Sequence, residues 1–329
     1  MSALAPTLQA FFTDRLIGQR QASPHTISAY RDTFKLLLSF AATRLNTEPS
    51  KLEISDLDAP VISAFLNYIE RERGCSARTR NARLAAIRSL YRYAALQHPE
   101  HAAVIQRVLA IPPKRFDSKL VTFLTEQELN ALISAPDRTT WTGRRDHTII
   151  ILAAQTGLRA SELVALTRRD VHLGRGAYVS CLGKGRKQRV TPLINPTIAV
   201  LETWLSERGG KTDDPLFPTS TGRLLTRDAL ERRLTKHAHN AAAHCPSLHG
   251  KPITPHVLRH TAAMRLLQAG VDTTVIALWL GHEQVDTTRI YVHADLTLKE
   301  QAIMRTTPLN GKPGRYRPPD ALLAFLTRL

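Results

Sequence analysis

Apolar residues over the first hundred positions recur with a helical period. The stretch TLQAFFTDRLI places Leu8, Phe11, Phe12 and Leu16 on one face. Ser23 followed by Pro24 reads as an N-cap and a first-turn proline, and the helix they open carries Ile27, Tyr30, Phe34, Leu37 and Leu38. A third helix is predicted from Pro60 to about Arg73, stopped by Gly74. A fourth starts near Ser76, with an apolar stripe of Leu84, Ile87, Leu90, Tyr91 and Ala94. After a short helical piece over 101–110 comes IPPKRFDSK, whose two prolines and three basic residues mark a linker. The pattern then restarts. Thr125 and Glu128 have capping-box spacing, and RRDHTIIILAAQTG is an apolar helix closed by Gly157. Residues 177–182 and 188–194 alternate like strands around GKGRK, which predicts a β-hairpin. Further helices are expected over 196–208, 226–243, 255–269, 272–280 and 297–305.

The expectation is a mainly α chain with a small antiparallel β-sheet, in two domains. A helical domain spans 1–110, a basic linker 111–120 and a mixed domain 121–307. The tail, 308–329, ends in DALLAFLTRL. Its Leu322, Leu323, Phe325, Leu326 and Leu329 suit a short apolar helix too small to be stable alone.

Charge changes this picture. The chain of 329 residues is 43% hydrophobic, enough for real cores and unlike a disordered basic tail. Yet its net charge is +17, with the excess shared by both halves. That distribution suits a protein that surrounds a polyanion better than one with a single basic arm. Arg78, Arg80, Arg83, Arg88 and Arg92 lie mostly off the apolar stripe of their helix, with almost no acid among them, and are expected to meet phosphates. Lys114 and Arg115 of the linker and Arg186 and Lys187 of the turn are further candidates. Three scattered cysteines read as buried thiols in a reducing compartment. No apolar run approaches the ~20 residues of a membrane span, and no signal peptide is evident, so a cytoplasmic, nucleoid-associated location is expected.

Six residues carry candidate chemistry. Arg159 stands in TGLRASEL, Lys184 in GKGRKQRV, His256 and Arg259 in PHVLRH, His282 after Gly281, and Tyr291 in RIYVH. Each alone has an ordinary structural reading: a loop tie, a solvated turn, a helix cap, a packing tyrosine. Together they describe phosphoryl transfer to protein without a metal. Guanidiniums match phosphate oxygens, a lysine can deliver a proton to a leaving alkoxide, imidazoles can shuttle protons, and a phenol can take the phosphoryl group. His260 follows Arg259 directly but points about a quarter turn away. The segment HAHNAAAHCPSLH is rich in metal-ligand types (His237, His239, His244, Cys245, His249), but its spacing matches no standard zinc pattern. No metal and no cofactor are expected.

The motifs TGLRASEL, GKGRKQRV, PHVLRHTAA, LGH and TTRIYVH resemble those of the tyrosine recombinases, the phage-integrase family, and most of all its Xer-type and mobile-element members. The resemblance spans nearly the whole chain, with ISAYRDTFKLLLSFA and TRNARLAAIRSLYRYA resembling the helical core-binding domain. It implies that Arg159 and Arg259 clamp the scissile phosphate and that Lys184 is the acid for the 5′-hydroxyl. His256 and His282 would assist proton transfer, and Tyr291 would form a 3′-phosphotyrosine. Glu162 would support Arg159. It further implies a double-stranded DNA recombination site, a Holliday junction, and a homotetramer on two duplexes, with or without partner recombinases, in which the tail helix docks on a neighbouring protomer. Integration, excision or transposition of a mobile element is the leading role. Chromosome or plasmid dimer resolution is the alternative. A type IB topoisomerase and a non-catalytic architectural DNA-binding protein are the rivals from other classes.

Overall fold

The computed structural model describes residues 4–116, 121–183, 188–281, Thr288 and Tyr291. The chain divides into two compact units, Met1–Ser118 and Lys119–Leu329.

In the first unit, helix α1 (Leu4–Ala10) runs into π-helical turns over Phe11–Gln19, where the Arg20 N–H reaches the Arg15 carbonyl at 3.0 Å. Helix α2 (Pro24–Leu45) opens with Ser23 Oγ accepting the Thr26 N–H. It ends at Asn46, in the left-handed region that Asn tolerates. Asp58 caps α3 (Ala59–Arg71), Ser76 caps α4 (Ala77–Ala94), and α5 (Ala102–Ala110) completes the unit. The predicted stripe of α4 is buried in full, against Phe11, Phe34, Leu37 and Phe65.

The arginine run of α4 has an acid near it that is not adjacent in sequence. Its acid partner comes from α3: Glu70 lies 3.8 Å from Arg80 and 2.5 Å from Lys114 Nζ. Arg88 donates to the Ile111 carbonyl, and Arg83 Nη1 lies 3.7 Å from Cys75 Sγ. Arg78 sits over the Phe116 ring, while Arg92 is exposed. The backbone of Lys114 exchanges two hydrogen bonds with the Asn81 side chain, at 2.9 and 2.8 Å. The proline segment up to Lys114 is thus fastened to the first unit.

In the second unit the capping box of Thr125 and Glu128 opens α6 (Glu126–Ser134), and Thr140 opens α7 (Trp141–Thr156), which Gly157 closes. Helix α8 (Ala160–Ala165) follows at once. Strands β1 (Val171–His172), β2 (Tyr178–Leu182) and β3 (Gln188–Pro192) form an antiparallel sheet in that order, with Cys181 opposite Arg189. Strand β1 is two residues long, too short to leave a periodic trace in the sequence. The remaining helices are α9 (Asn195–Arg208), α10 (Arg227–Ala242), α11 (Pro255–Gln268) and α12 (Thr273–Leu280). Helix α11 packs along α7 and α12 and is buried on nearly every side. The expected helix over 297–305 and the tail lie outside the described residues.

The histidine-rich segment is used structurally. Asp146, buried on α7, receives Arg145 at 2.9 Å, His237 Nε2 at 2.8 Å, and Arg233. Glu128 accepts from Ser247 Oγ at 2.8 Å and Lys251 Nζ at 2.7 Å, tying the loop after α10 to α6. Among the described residues no group of three metal-ligand side chains is arranged to hold an ion, and no helix is long and apolar enough to cross a membrane.

Candidate active site

The site is built around two turns. The first is the α7–α8 turn, where the carbonyl of Gly157 (φ +63°) faces inward. A Cβ there would lie 2.5 Å from Leu280 Cδ2, so only glycine allows α12 to approach this closely. The second is the end of α12, where Gly281 turns the chain with φ +65° and leaves two carbonyls, Leu280 and Gly281, directed at cations.

Three guanidiniums meet these turns. Arg159, the residue preceding α8, donates from Nη1 to Glu162 at 2.7 Å and from Nη2 to the Gly281 carbonyl at 2.9 Å. Arg259, on α11 and 2% exposed, donates from Nη1 to the Gly157 carbonyl and from Nη2 to the Leu280 carbonyl, both at 2.7 Å. Arg189, on β3, donates to Glu162 at 2.8 Å and also to the Leu280 carbonyl. An arginine carries five N–H donors. Each guanidinium is therefore held by protein acceptors while donors remain for an incoming anion.

The electrostatics favour an anion. Burial alone would push the Glu162 carboxyl up. The Arg159 N–H and the charges of Arg189 and Arg159 outweigh it, so Glu162 is held below the usual carboxylate range. Among the described residues Glu162 is the one carboxylate that pairs with these guanidiniums, and it does not balance their three charges. Arg259 is lowered to about 10, first by burial and then by Arg159 and Arg189. A phosphate between these cations would relieve both effects.

Tyr291 is 1% exposed, and its Oη lies 3.1 Å from Nδ1 of His260. Burial raises its phenol above the ordinary value, against the pull of Arg259 and Arg159. His256 stacks edge-on to His260, with ring centres 4.3 Å apart. A cleft of about 460 Å³ is lined by Arg159, Arg227, His256 and Arg259, with Asp228 and Glu231 of α10 on its wall. A larger recess of about 570 Å³ lies between α7 and α9, near Arg144, Trp204 and Glu207. It lacks Arg159, His256 and Arg259, so the smaller cleft is the candidate site.

The described residues thus bring together Arg159, Glu162, His256, Arg259 and Tyr291. Lys184, Arg186, Lys187 and His282 lie outside them. The sequence motifs do not assign chemistry to two further members. Arg189 was detectable only as the inward partner of Thr191 in the alternation of β3. His260 points about a quarter turn away from Arg259, yet it is the residue that reaches Tyr291. The signal was available in its i,i+4 spacing from His256, which puts both imidazoles on one face.

Comparison with known proteins supports one family. The sequence profile of the Phage integrase family matches residues 122–297, and that of the phage integrase N-terminal SAM-like domain matches residues 10–98. A protein of Sinorhizobium fredii named as an integrase/recombinase, y4rC, is 55% identical over 328 residues, covering 100% of this chain and 99% of its own. Tyrosine recombinase XerC of Pelobacter propionicus is 32% identical, covering 90% and 93%. The fold is shared with XerH site-specific recombinase bound to its palindromic difH substrate, with a TM-score of 0.70, 24% identity and coverage of 87% and 81%. It is also shared with the Tn1549 transposon integrase bound to circular intermediate DNA, with a TM-score of 0.67, 17% identity and coverage of 91% and 99%.

Proposed function

The chain belongs to the phage integrase family and is a tyrosine-type site-specific recombinase, and we propose that it breaks and rejoins DNA through a covalent link between Tyr291 and a 3′-phosphate. The observation that carries this assignment of the site is the cluster of Arg159, Arg189 and Arg259 about the carboxylate of Glu162, with Tyr291 buried near it. In this reading Arg159 and Arg259 hold the scissile phosphate, and their charge stabilises the transition state in place of a metal ion. His256 donates to a phosphate oxygen. Lys184 protonates the departing 5′-oxygen, and His282 assists. The phosphotyrosine conserves the energy of the broken bond, so the 5′-hydroxyl of a partner strand can reverse the step without a nucleotide cofactor.

The partner is double-stranded DNA. XerH, the Tn1549 integrase and a lambda integrase were each solved on DNA. We extend this to a homotetramer acting on two duplexes through a Holliday junction, with the tail over 318–329 linking protomers. Deleting that tail should abolish synapsis and spare single-site binding. Intact synapsis after deletion removes the linking role.

Integration, excision or transposition of a mobile element is the first reading, supported by full-length similarity to y4rC, which is named as an integrase/recombinase. Dimer resolution is the second reading, favoured by the similarity to XerC. Plasmids carrying two copies of either the flanks of the gene's own locus or a chromosomal dimer-resolution site separate the two. Recombination on the flanks supports the first. Recombination confined to the chromosomal site, or dependent on a second recombinase, supports the second. Relaxation of any supercoiled plasmid without recombinant product contradicts both.

A further inference from the structure

We infer that His260 is a catalytic residue, the group that accepts the proton of Tyr291 as the phenol attacks phosphorus. This rests on the reading of Tyr291 as the nucleophile. The geometry divides the two imidazoles of α11. His256 lines the cleft with Arg159 and Arg259, on the side where an anion would sit. His260, one turn further along the helix and 9% exposed, has its Nδ1 3.1 Å from Tyr291 Oη, with the rings edge to face at 5.5 Å. The same oxygen that would form the bond to phosphorus therefore carries its proton toward an imidazole nitrogen.

The protonation states fit. His260 is lowered to about 4, first by burial and then by the neighbouring charges of His256 and Arg259. It is therefore neutral at physiological pH and free to accept. Tyr291 is raised by burial, so it keeps its proton until one is taken. A base this weak does not ionise the phenol in the resting state. The proton crosses only as the oxygen–phosphorus bond forms and Oη becomes acidic. The step balances. The Tyr291 Oη–phosphorus bond forms, the phosphorus–O5′ bond breaks, and the phenolic proton moves to His260 Nδ1. The 5′-oxygen takes its own proton from the acid proposed above, Lys184. In rejoining, the His260 imidazolium returns its proton to the leaving phenolate. Arg259 and His256, which face His260, disfavour that imidazolium and so favour its discharge.

The test is single-turnover adduct formation by the full chain on a nicked duplex substrate, from pH 5.5 to 9. Ordinary DNA is compared with DNA bearing a bridging 5′-sulfur, whose thiolate leaves without a proton. His260→Asn keeps an acceptor near the place of Nδ1 but cannot take a proton, and His260→Gln tests the other ring position. We expect both variants to be ~10²-fold slower or worse on both substrates, in the range of general-base contributions. Their rates should climb with pH through 7 to 9, where wild type is flat. Rates within threefold of wild type, an unchanged pH profile, or restoration by the bridging sulfur would each overturn the assignment. An adduct surviving Tyr291→Phe overturns the parent reading instead. A measurement on the unmodified side chain guards against variants that do not fold. Nitrogen NMR of labelled histidine should show His260 neutral with its proton on Nε2, and a proton on Nδ1 contradicts an acceptor.

Discussion

Arg159 and Glu162 are joined twice, by the Arg159 backbone N–H at 2.8 Å and by its Nη1 at 2.7 Å, each to a different carboxylate oxygen. One contact starts helix α8, and the other aims the guanidinium. Fold and site are thus set by the same carboxylate, which also receives Arg189.

Glu162→Gln should therefore cost both stability and activity. Loss of the buried charge leaves Arg189 without its counter-ion, at a cost of about 3 kcal/mol. Misplacement of Arg159 should slow adduct formation ~10²-fold. The folded carboxyl is held below its unfolded value, so its stabilisation is complete above the unfolded pKa of ~4.3 and is lost as pH falls through the folded value. Urea melts of both proteins should differ at pH 7 and converge in acid. Equal stability at pH 7 contradicts the bridge.

Gly157→Ala should fold poorly for two independent reasons. Its φ of +63° strains any side chain, and its Cβ would meet Leu280 Cδ2 at 2.5 Å. Together these predict a loss of about 2–4 kcal/mol. The carbonyl that holds Arg259 moves with the turn, so activity should fall further than the unfolded fraction explains. Denaturant melts paired with adduct rates on the folded fraction check this.

His260 should impose an acid slope on stability. Its folded pKa of about 4 lies below the unfolded value of ~6.5, so the unfolded chain takes up the proton first as pH drops. Stability should fall between pH 6.5 and 4 by about 3 kcal/mol and change no further on this account below 4. His260→Phe should remove that slope. An identical pH profile for the variant would show that His260 is not held neutral in the folded state.

The arginines of α4 should separate into two groups. Arg78, Arg83 and Arg92 make no ion pair among the described residues. If they meet phosphates, each change to alanine lowers the salt slope of DNA binding by about 1. Arg80 and Arg88 are committed to Glu70 and to the Ile111 carbonyl, so their loss should cost about 1–3 kcal/mol of stability. Salt titrations of binding alongside thermal melts distinguish the groups, and uniform behaviour of all five contradicts the division.

What the sequence made legible was local. The caps at Ser23 and Thr125, the helix start near Ser76 and the stop at Gly157 depend on a few adjacent residues, and all are found as read. The stripe of α4 repeats often enough to fix its buried face. Glu70 was missed as a partner of Arg80 because α3 supplies it from another helix. Arg189 was missed because its acceptor, the Leu280 carbonyl, lies 91 residues away and exists only once α12 closes on Gly157. The angle between His260 and Arg259 belongs to one helix, whereas the contact His260 makes is set by where Tyr291 is brought. Helical period reports which face is buried, not which distant group arrives there.

The most direct measurement is covalent trapping. The full chain is incubated with nicked duplexes tiled across the flanks of its own locus, and products are resolved under denaturing conditions. The account predicts a protein–DNA adduct at one position for the wild type and none for Tyr291→Phe, with DNA binding retained by both. An adduct that persists in Tyr291→Phe, or recombinant product formed by the wild type with no tyrosine-linked intermediate, would contradict it.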